Sequence, residues 1–246
     1  VLLLAEFPVR AVPWALWRLM RGSGALRAQP GLRFAKVLGS GRGGGFGLMP
    51  GLAHQGLMAF FDDEEHARHY ARQSTLLQAY GARAAQTLVL VLRVVSSRGS
   101  WGGHAAVAAS ARSDKTTALR SVSFTSSAPG TTHPNSPIAV LTRASIRPSR
   151  AAAFWGHAAP THRAIAQAQG CQLAVGLGEA PLLRQATFSL WDNTAAVDRY
   201  AHQGAHHQAS TRAWQHQWFS ESMFTRFEPV LMVGHWKGRR YDRTAI

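Results

Sequence analysis

Apolar residues recur along this chain with two periods, every second position and every third or fourth, and their alternation lays out the elements. Val1 to Phe7 is a short apolar run that reads as a strand. Ala11 to Met20 sets Val12, Leu16 and Leu19 at helical spacing, with Trp14 and Trp17 beside them. Leu32 to Leu38 is strand-like, Gly39 to Gly51 reads as a glycine-rich loop, and Gly56 to Phe61 is the next strand. Asp62-Asp63-Glu64-Glu65 then supplies a cap and first-turn acids to a helix that runs to about Gln73. Thr87 to Val95 closes the series as a strand.

The same order returns further on. Ile138 to Ile146 is a strand, and Pro148 to Gln167 a helix with proline at its start. Gln172 to Leu177 and Gln185 to Trp191 are strands around a loop, Gly178-Glu179-Ala180-Pro181. Asp192 caps a helix to about His202, a second helical stretch runs to Trp218 after a break at Gly204, and Met223 to Val233 is a strand. Individual residues repeat as well as elements. Phe61-Asp62 and Tyr70-Ala71-Arg72-Gln73 are answered by Trp191-Asp192 and Tyr200-Ala201-His202-Gln203, Leu38-Gly39 by Leu177-Gly178, and Ser100-Trp101-Gly102-Gly103 by His235-Trp236-Lys237-Gly238. Two βαββαβ units predict an α+β fold in which two ferredoxin-like repeats, residues 1–95 and 138–246, form an α/β barrel of the dimeric type within one chain. The stretch 96–137, rich in Ser, Thr, Ala and Gly, reads as a linker.

Composition narrows the class. With 246 residues and a 46% hydrophobic fraction the chain can bury a sizeable core. No apolar run reaches the roughly 18–20 residues that a membrane-spanning helix needs, and no signal peptide is evident. Cys171 is the single cysteine, which excludes an internal disulfide and any four-cysteine metal site and points to a cytoplasmic protein. The formal charge of +15 admits nucleic acid, an anionic membrane face or an acidic ligand. Its basic residues are scattered, Arg143, Arg147, Arg150, Arg163 and Arg184 standing singly and Arg239-Arg240 forming a close pair near the end. They lack the clustered stripe of a nucleic-acid binder, so a solvated basic surface is the first reading, membrane contact the second and nucleic acid the last.

The chemical motifs are few. Gly39-Ser40-Gly41-Arg42-Gly43-Gly44 fits G-x-G-x-x-G, but Pro50-Gly51 and a strand follow where a dinucleotide site needs a helix, so a mobile loop over a pocket mouth is the better reading. His202, His206, His207 and His216 share one region, and His202 and His206 stand at i, i+4, yet no acid completes a hydrolytic zinc site. Superposing the copies sets His206 on Leu76, an apolar position, so His206 points inward. An inward imidazole either ligates iron through a free nitrogen or bonds a core carbonyl. Glu221 falls on Gln86 and is either a buried acid or a strand-edge charge.

Leu32-Arg33-Phe34-Ala35-Lys36-Val37-Leu38-Gly39-Ser40-Gly41 resembles the spheroidene monooxygenase family of carotenoid biosynthesis. So do Leu141 to Pro148 with Phe154-Trp155, Gly176 to Leu183, Gln185 to Trp191, and Trp218-Phe219-Ser220-Glu221. The resemblance spans nearly the whole chain outside 96–137. It implies a haem monooxygenase of dimeric α/β-barrel type that places a keto group at C-2 of an acyclic carotenoid such as spheroidene, using dioxygen and reduced ferredoxin. His206, in the family's Gly-x-His segment, is then the candidate axial ligand to the haem iron. Arg143, Arg147 and Arg184 lie in matching blocks and are candidate partners of the haem propionates, since a guanidinium fork suits carboxylates. Phe154, Trp155, Phe188 and Trp191 are candidate pocket or core surface. A substrate that lives in a bilayer would hold the protein peripherally at the inner membrane face, its basic exterior against anionic headgroups. The alternative is a non-catalytic or cofactor-free α/β-barrel protein that binds a small apolar ligand.

Overall fold

The computed structural model describes residues 1–26, 28–45, 47, 49–106, 135–180, 182–202, 211–213 and 215–244. The first repeat comprises β1 (Leu2–Glu6), α1 (Val12–Arg21), β2 (Leu32–Gly41), β3 (Pro50–Phe61), α2 (Glu64–Gln73), α3 (Thr75–Gly81) and β4 (Gln86–Gly99). The second comprises β5 (Ile138–Ile146), α4 (Ala151–Ala166), β6 (Cys171–Ala180), β7 (Arg184–Trp191), α5 (Thr194–His202), β8 (Phe219–Trp236) and an added β9 (Arg239–Thr244).

Local chemistry sets the helix boundaries. Pro13 sits in the first turn of α1, and Gly22 ends that helix at φ 55°. The Asp63 carboxylate accepts the His66 backbone N–H at 2.8 Å to start α2. Ser74 then interrupts the helical run and caps α3 through the Leu77 N–H. At α5 the cap is Asn193, whose Oδ1 accepts the Ala196 N–H at 3.0 Å. Asp192, the expected cap, instead accepts from Gln172 Nε2 at 2.7 Å.

Each repeat forms an antiparallel sheet in the order fourth, first, third, second: β4-β1-β3-β2 and β8-β5-β7-β6. The sheets join along two seams and close an eight-stranded barrel, with β9 added at the outer half of β8. One seam is long, β4 pairing with β8 from Leu88↔Gly234 to Gly99↔Met223. The other is the single bridge Gly39↔Gly178, reinforced by the Ser40 hydroxyl donating to the Gly176 carbonyl at 2.5 Å. This is the duplicated ferredoxin-like barrel expected from the repeat.

The duplication holds at the level of single contacts. Gly31 and Gly170 both have positive φ, and an added Cβ would press on His66 at 2.6 Å in one copy and on Ala196 at 2.7 Å in the other. Their carbonyls accept from Asp62 and Asp192, each at 2.8 Å. The ring pairs Phe61–Tyr70 and Trp191–Tyr200 share a centroid distance of 5.2 Å and an angle of 39°.

Period-two alternation divides the buried residues by face. Leu2, Leu4, Phe34, Leu38, Met58, Phe60, Leu141, Phe188 and Phe227 fill the barrel interior. Outside it, one apolar layer lies under α1–α3 around Tyr70, Leu77 and Tyr80, and a second lies under α4 and α5 around Ile165, Trp191 and Val197.

Several boundaries differ from the sequence expectation, because the long seam and the hairpins draw polar and glycine-rich residues into strands. β2 runs to Gly41 and β3 starts at Pro50, taking up both ends of the loop placed at Gly39–Gly51, and β6 runs through the loop placed at Gly178–Pro181 as far as Ala180. β4 carries Ser96–Gly99 out of the supposed linker, and the Trp101↔His104 bridge follows it. Residues 107–134 lie outside the described residues. A strand, not a helix, follows the G-x-G-x-x-G segment, as expected.

Candidate functional site

The pseudo-twofold relation makes the barrel's two ends counterparts of each other, so their differences carry information. At the first end β4 stops at Gly99 and the chain reverses through Gly102 (φ 61°) and Gly103 (φ 79°), both in the left-handed region a tight hairpin needs. The turn drops Trp101 into the barrel mouth, where it is fully buried with its ring edge against Phe34 at 6.3 Å. Arg33 fastens the following segment by donating to the Ala105 and Ala106 carbonyls.

Strand alternation brings charged side chains to the same mouth. On β5 the inward residues Ala139 and Leu141 are followed by Arg143, which is 3% exposed. Its two terminal nitrogens pair with Glu221 on β8 and, at 3.2 Å, with Glu179 on β6. Glu179 also accepts from Trp101 Nε1 at 2.6 Å and pairs with Lys36 on β2 at 3.0 Å. Glu221 accepts from the Ser100 hydroxyl at 2.8 Å and the Gly103 N–H at 2.9 Å. The cluster thus joins two cations and two carboxylates from both repeats.

Burial works to raise the Glu221 pKa, but the Gly103 and Gly102 N–H groups, the Ser100 hydroxyl and Arg143 prevail and hold it down at about 2. Glu179 is likewise lowered: burial opposes ionisation, and Trp101, Lys36 and Arg143 outweigh it. Carboxylates held this way stay ionised near neutrality and do not serve as proton donors there. Their chemistry is electrostatic, an ion-paired plug that fixes the barrel mouth.

The three candidate arginines therefore separate. Arg143 is committed to Glu179 and Glu221. Arg147 and Arg184 lie exposed on the rim of the same end, Arg184 paired in register with Ser145. Neither has an acidic partner among the described residues. Beside Arg147, whose N–H donates to the Trp218 carbonyl, Phe154 gathers Trp155, Trp218 and Phe219 at ring distances of 5.3, 6.5 and 6.0 Å. Trp155 Nε1 donates to the Leu182 carbonyl at 3.0 Å. An apolar aromatic surface beside open guanidinium forks offers the residue types that a flat apolar macrocycle with carboxylate tails requires. Phe188 and Trp191 are core: the first fills the barrel, the second packs under α5.

His206 lies outside the described residues, as does His207. His202 and His216 are both exposed. Among the described residues no three His, Cys, Asp or Glu side chains gather as a metal site. Glu221 resolves as a paired acid at the barrel mouth rather than a loose strand-edge charge. Sequence reasoning did not name Glu179, Lys36 or Trp101 as its companions. The available signal was the repeated Trp-x-Gly turn together with charged residues on otherwise apolar inward faces.

No family model matches the chain. It is 44% identical to the spheroidene monooxygenase of Rubrivivax gelatinosus, over 98% of this chain and 86% of that protein. The spheroidene monooxygenase of Rhodobacter capsulatus is 31% identical over 93% of this chain and 88% of its own. That of Cereibacter sphaeroides is 26% identical over 92% of this chain and 64% of its own. Among solved structures, SnoaB, a cofactor-independent oxygenase from Streptomyces nogalater, aligns with 37% of this chain and 90% of its own at 18% identity and a TM-score of 0.31, too loose a likeness to argue from. Near-complete alignment at 44% identity settles the family: the chain belongs to the spheroidene monooxygenases.

Proposed function

We propose that this chain is a monooxygenase that places a keto group at C-2 of an acyclic carotenoid such as spheroidene, with haem as cofactor and reduced ferredoxin as electron donor. The observation that carries this reading is the 44% identity along 98% of the chain to a protein of that name. Two successive hydroxylations at one carbon balance the chemistry. Each inserts one oxygen atom of dioxygen, takes two electrons from the donor and two protons from solvent, and releases the other oxygen as water. The resulting geminal diol loses water to give the ketone.

Haem, when bound with His206 as its ligand, supplies the iron centre at which dioxygen is activated. Arg147 and Arg184 would pair with its propionates through open guanidinium forks, and Phe154 and Trp155 would give it an apolar face. Arg143 contributes at one remove, by locking β5, β6 and β8 around the barrel mouth. No helix among the described residues is long and apolar enough to cross a membrane, so delivery of a bilayer-resident substrate calls for contact at the membrane surface. A net charge of +15 favours anionic headgroups.

The test is the absorption spectrum of protein expressed with a haem precursor, beside that of His206→Ala. A Soret band present in the parent and lost from a folded variant supports both the cofactor and its ligand. A band that survives the substitution moves the ligand elsewhere. A parent protein without a band, despite supplied haem, overturns the haem mechanism and favours the ligand-binding barrel.

A further inference from the structure

Seven basic residues and no acid lie between Phe7 and Phe61, the stretch that forms α1, β2 and β3. The acids that bound this stretch are turned to partners of their own, Glu6 to His54 and Gln86, and Asp62 to Arg33. Nothing within it neutralises its arginines.

α1 is oriented the opposite way from a helix that faces water. Arg18 is 3% exposed, whereas Met20 is 80% and Trp17 44% exposed. The inner face is fixed to the barrel. Gln55 Nε2 donates to the Ala15 carbonyl at 2.6 Å, Leu19 lies against Gly39, and the Trp14 and Tyr80 rings meet edge-on at 5.1 Å. The outer face carries Pro13, Trp17 and Met20 at i, i+4 and i+7. The turn Val9–Ala11 leads into the helix and adds Val9, 88% exposed and four residues before Pro13. These side chains make one apolar stripe roughly 15 Å long.

Arginines frame the stripe. Arg10 and Arg21 are exposed beside Val9 and Met20, and the Arg21 guanidinium carbon lies 4.9 Å from the Trp17 ring centroid. The β2–β3 hairpin brings exposed Arg42, Met49 and Leu52. It stands at the Val9 end of the stripe, since the Phe7 N–H donates to the Ala53 carbonyl at 2.7 Å. Arg10, Arg21 and Arg42 have no acidic partner among the described residues.

An exposed tryptophan among apolar neighbours, framed by guanidinium groups, is the composition of a surface that lies in the headgroup layer of a bilayer. The stripe would enter that layer while the arginines meet phosphate oxygens at its level. A second copy laid on the same face would set arginine against arginine. An acidic protein would answer the arginines but leave the apolar stripe against charge.

We propose that the outer face of α1, with Val9 and the β2–β3 hairpin, is the surface on which this chain docks to an anionic phospholipid bilayer. The choice of a bilayer rests on the reading above, in which a bilayer-resident substrate is delivered at the membrane surface, and α1 gives that contact a place on the molecule.

The test is co-sedimentation of the whole protein with vesicles of phosphatidylcholine alone and of phosphatidylcholine mixed equally with phosphatidylglycerol. The parent is expected to bind the anionic vesicles roughly tenfold or more tightly than the neutral ones. Val9→Ser with Met20→Ser should weaken that binding about fivefold. Arg10→Gln with Arg21→Gln should weaken it about tenfold or more, each arginine at such a surface being worth roughly fivefold. Arg150→Gln with Arg199→Gln removes the same charge from exposed positions of the second repeat and should change binding about twofold or less. Every replaced side chain is exposed, so the urea midpoints should match the parent. Equal losses in the two arginine pairs overturn this face and leave attraction by overall charge. Binding that follows Arg10 and Arg21 but ignores Val9 and Met20 overturns the bilayer and favours an acidic protein. A dimer that the Val9 and Met20 changes dissolve, in a protein that ignores vesicles, assigns the face to a second copy. The Soret band of the same preparations separates the two readings. A haem-loaded parent that ignores anionic vesicles loses only the docking surface, and vesicle binding by a protein that takes up no haem loses only the haem mechanism.

Discussion

Replacing Arg143 with methionine tests whether the ion-paired plug holds the barrel closed by charge. Methionine keeps much of the arginine stem's apolar reach beside Trp101, whose ring lies 5.8 Å from the guanidinium carbon. What it removes is the one group that, among the described residues, is shared by Glu179 and Glu221. Deleting one partner of a buried ion pair costs about 3–5 kcal/mol, because the remaining charge stays buried without compensation. Here Glu179 keeps Lys36 and the Trp101 N–H, while Glu221 keeps Ser100 and Gly103, so the expected loss falls to about 2–4 kcal/mol at pH 7.

The pH dependence separates charge from packing. In the parent, Glu221 titrates at about 2 against an ordinary 4.5, and Glu179 is also lowered. Their stabilisation is complete above the ordinary value and is lost as pH falls through the folded one. For Glu221 the difference amounts to roughly 3 kcal/mol at face value, and contact with solvent at the mouth screens it to about 1–2 kcal/mol. Without Arg143 each carboxyl loses one of the partners that favour its charged form, Glu221 keeping Gly103, Gly102 and Ser100 and Glu179 keeping Trp101 and Lys36. Both then take up protons at higher pH than in the parent. The stability gap between parent and Arg143→Met must therefore narrow as pH falls from 7 toward 3. Urea denaturation followed by tryptophan fluorescence at pH 7, 5 and 3.5 measures it. A gap below about 1 kcal/mol at pH 7, or one that stays constant with pH, refutes the electrostatic account.

Two further outcomes follow from the same structure. Gly99 and Gly234 hold equivalent positive-φ positions where β4 and β8 cross, and a Cβ on either collides with a carbonyl oxygen, that of Ser222 or of Thr87. Alanine at each should cost at least about 2 kcal/mol in urea denaturation, and equal stability of both variants with the parent would contradict the strain. Burial pushes the Cys171 thiol up to about 11, so iodoacetamide at pH 8 should modify it far more slowly in the folded protein than in urea. Equal rates would show an open thiol.

The sequence by itself determined most of the elements and their duplication, but not α3 or β9. Period two and period 3.6 register which face of a strand or helix is apolar, and that information is local. The repeated Asp62 and Asp192, the aromatic pairs before and after them, and the Trp-x-Gly turns are legible because each copy must satisfy the same backbone and packing demands. Asp63 reads as a cap because its partner His66 is three residues away. What the sequence left undecided is everything that depends on partners far along the chain. Arg143 meets Glu179 and Glu221 only because strand order sets β5 beside β8 and closes the barrel onto β6. Nothing near Arg143 marks it as paired, or marks Arg147 and Arg184 as open. The extension of β4 to Gly99 is likewise a tertiary result, since β8 supplies hydrogen-bonding partners to residues with little strand preference of their own. The contrast between the barrel's ends has the same origin. Ser40 and Glu179 occupy equivalent places in the two copies, and only the closed barrel shows that one leaves a buried tryptophan N–H unmatched while the other satisfies it.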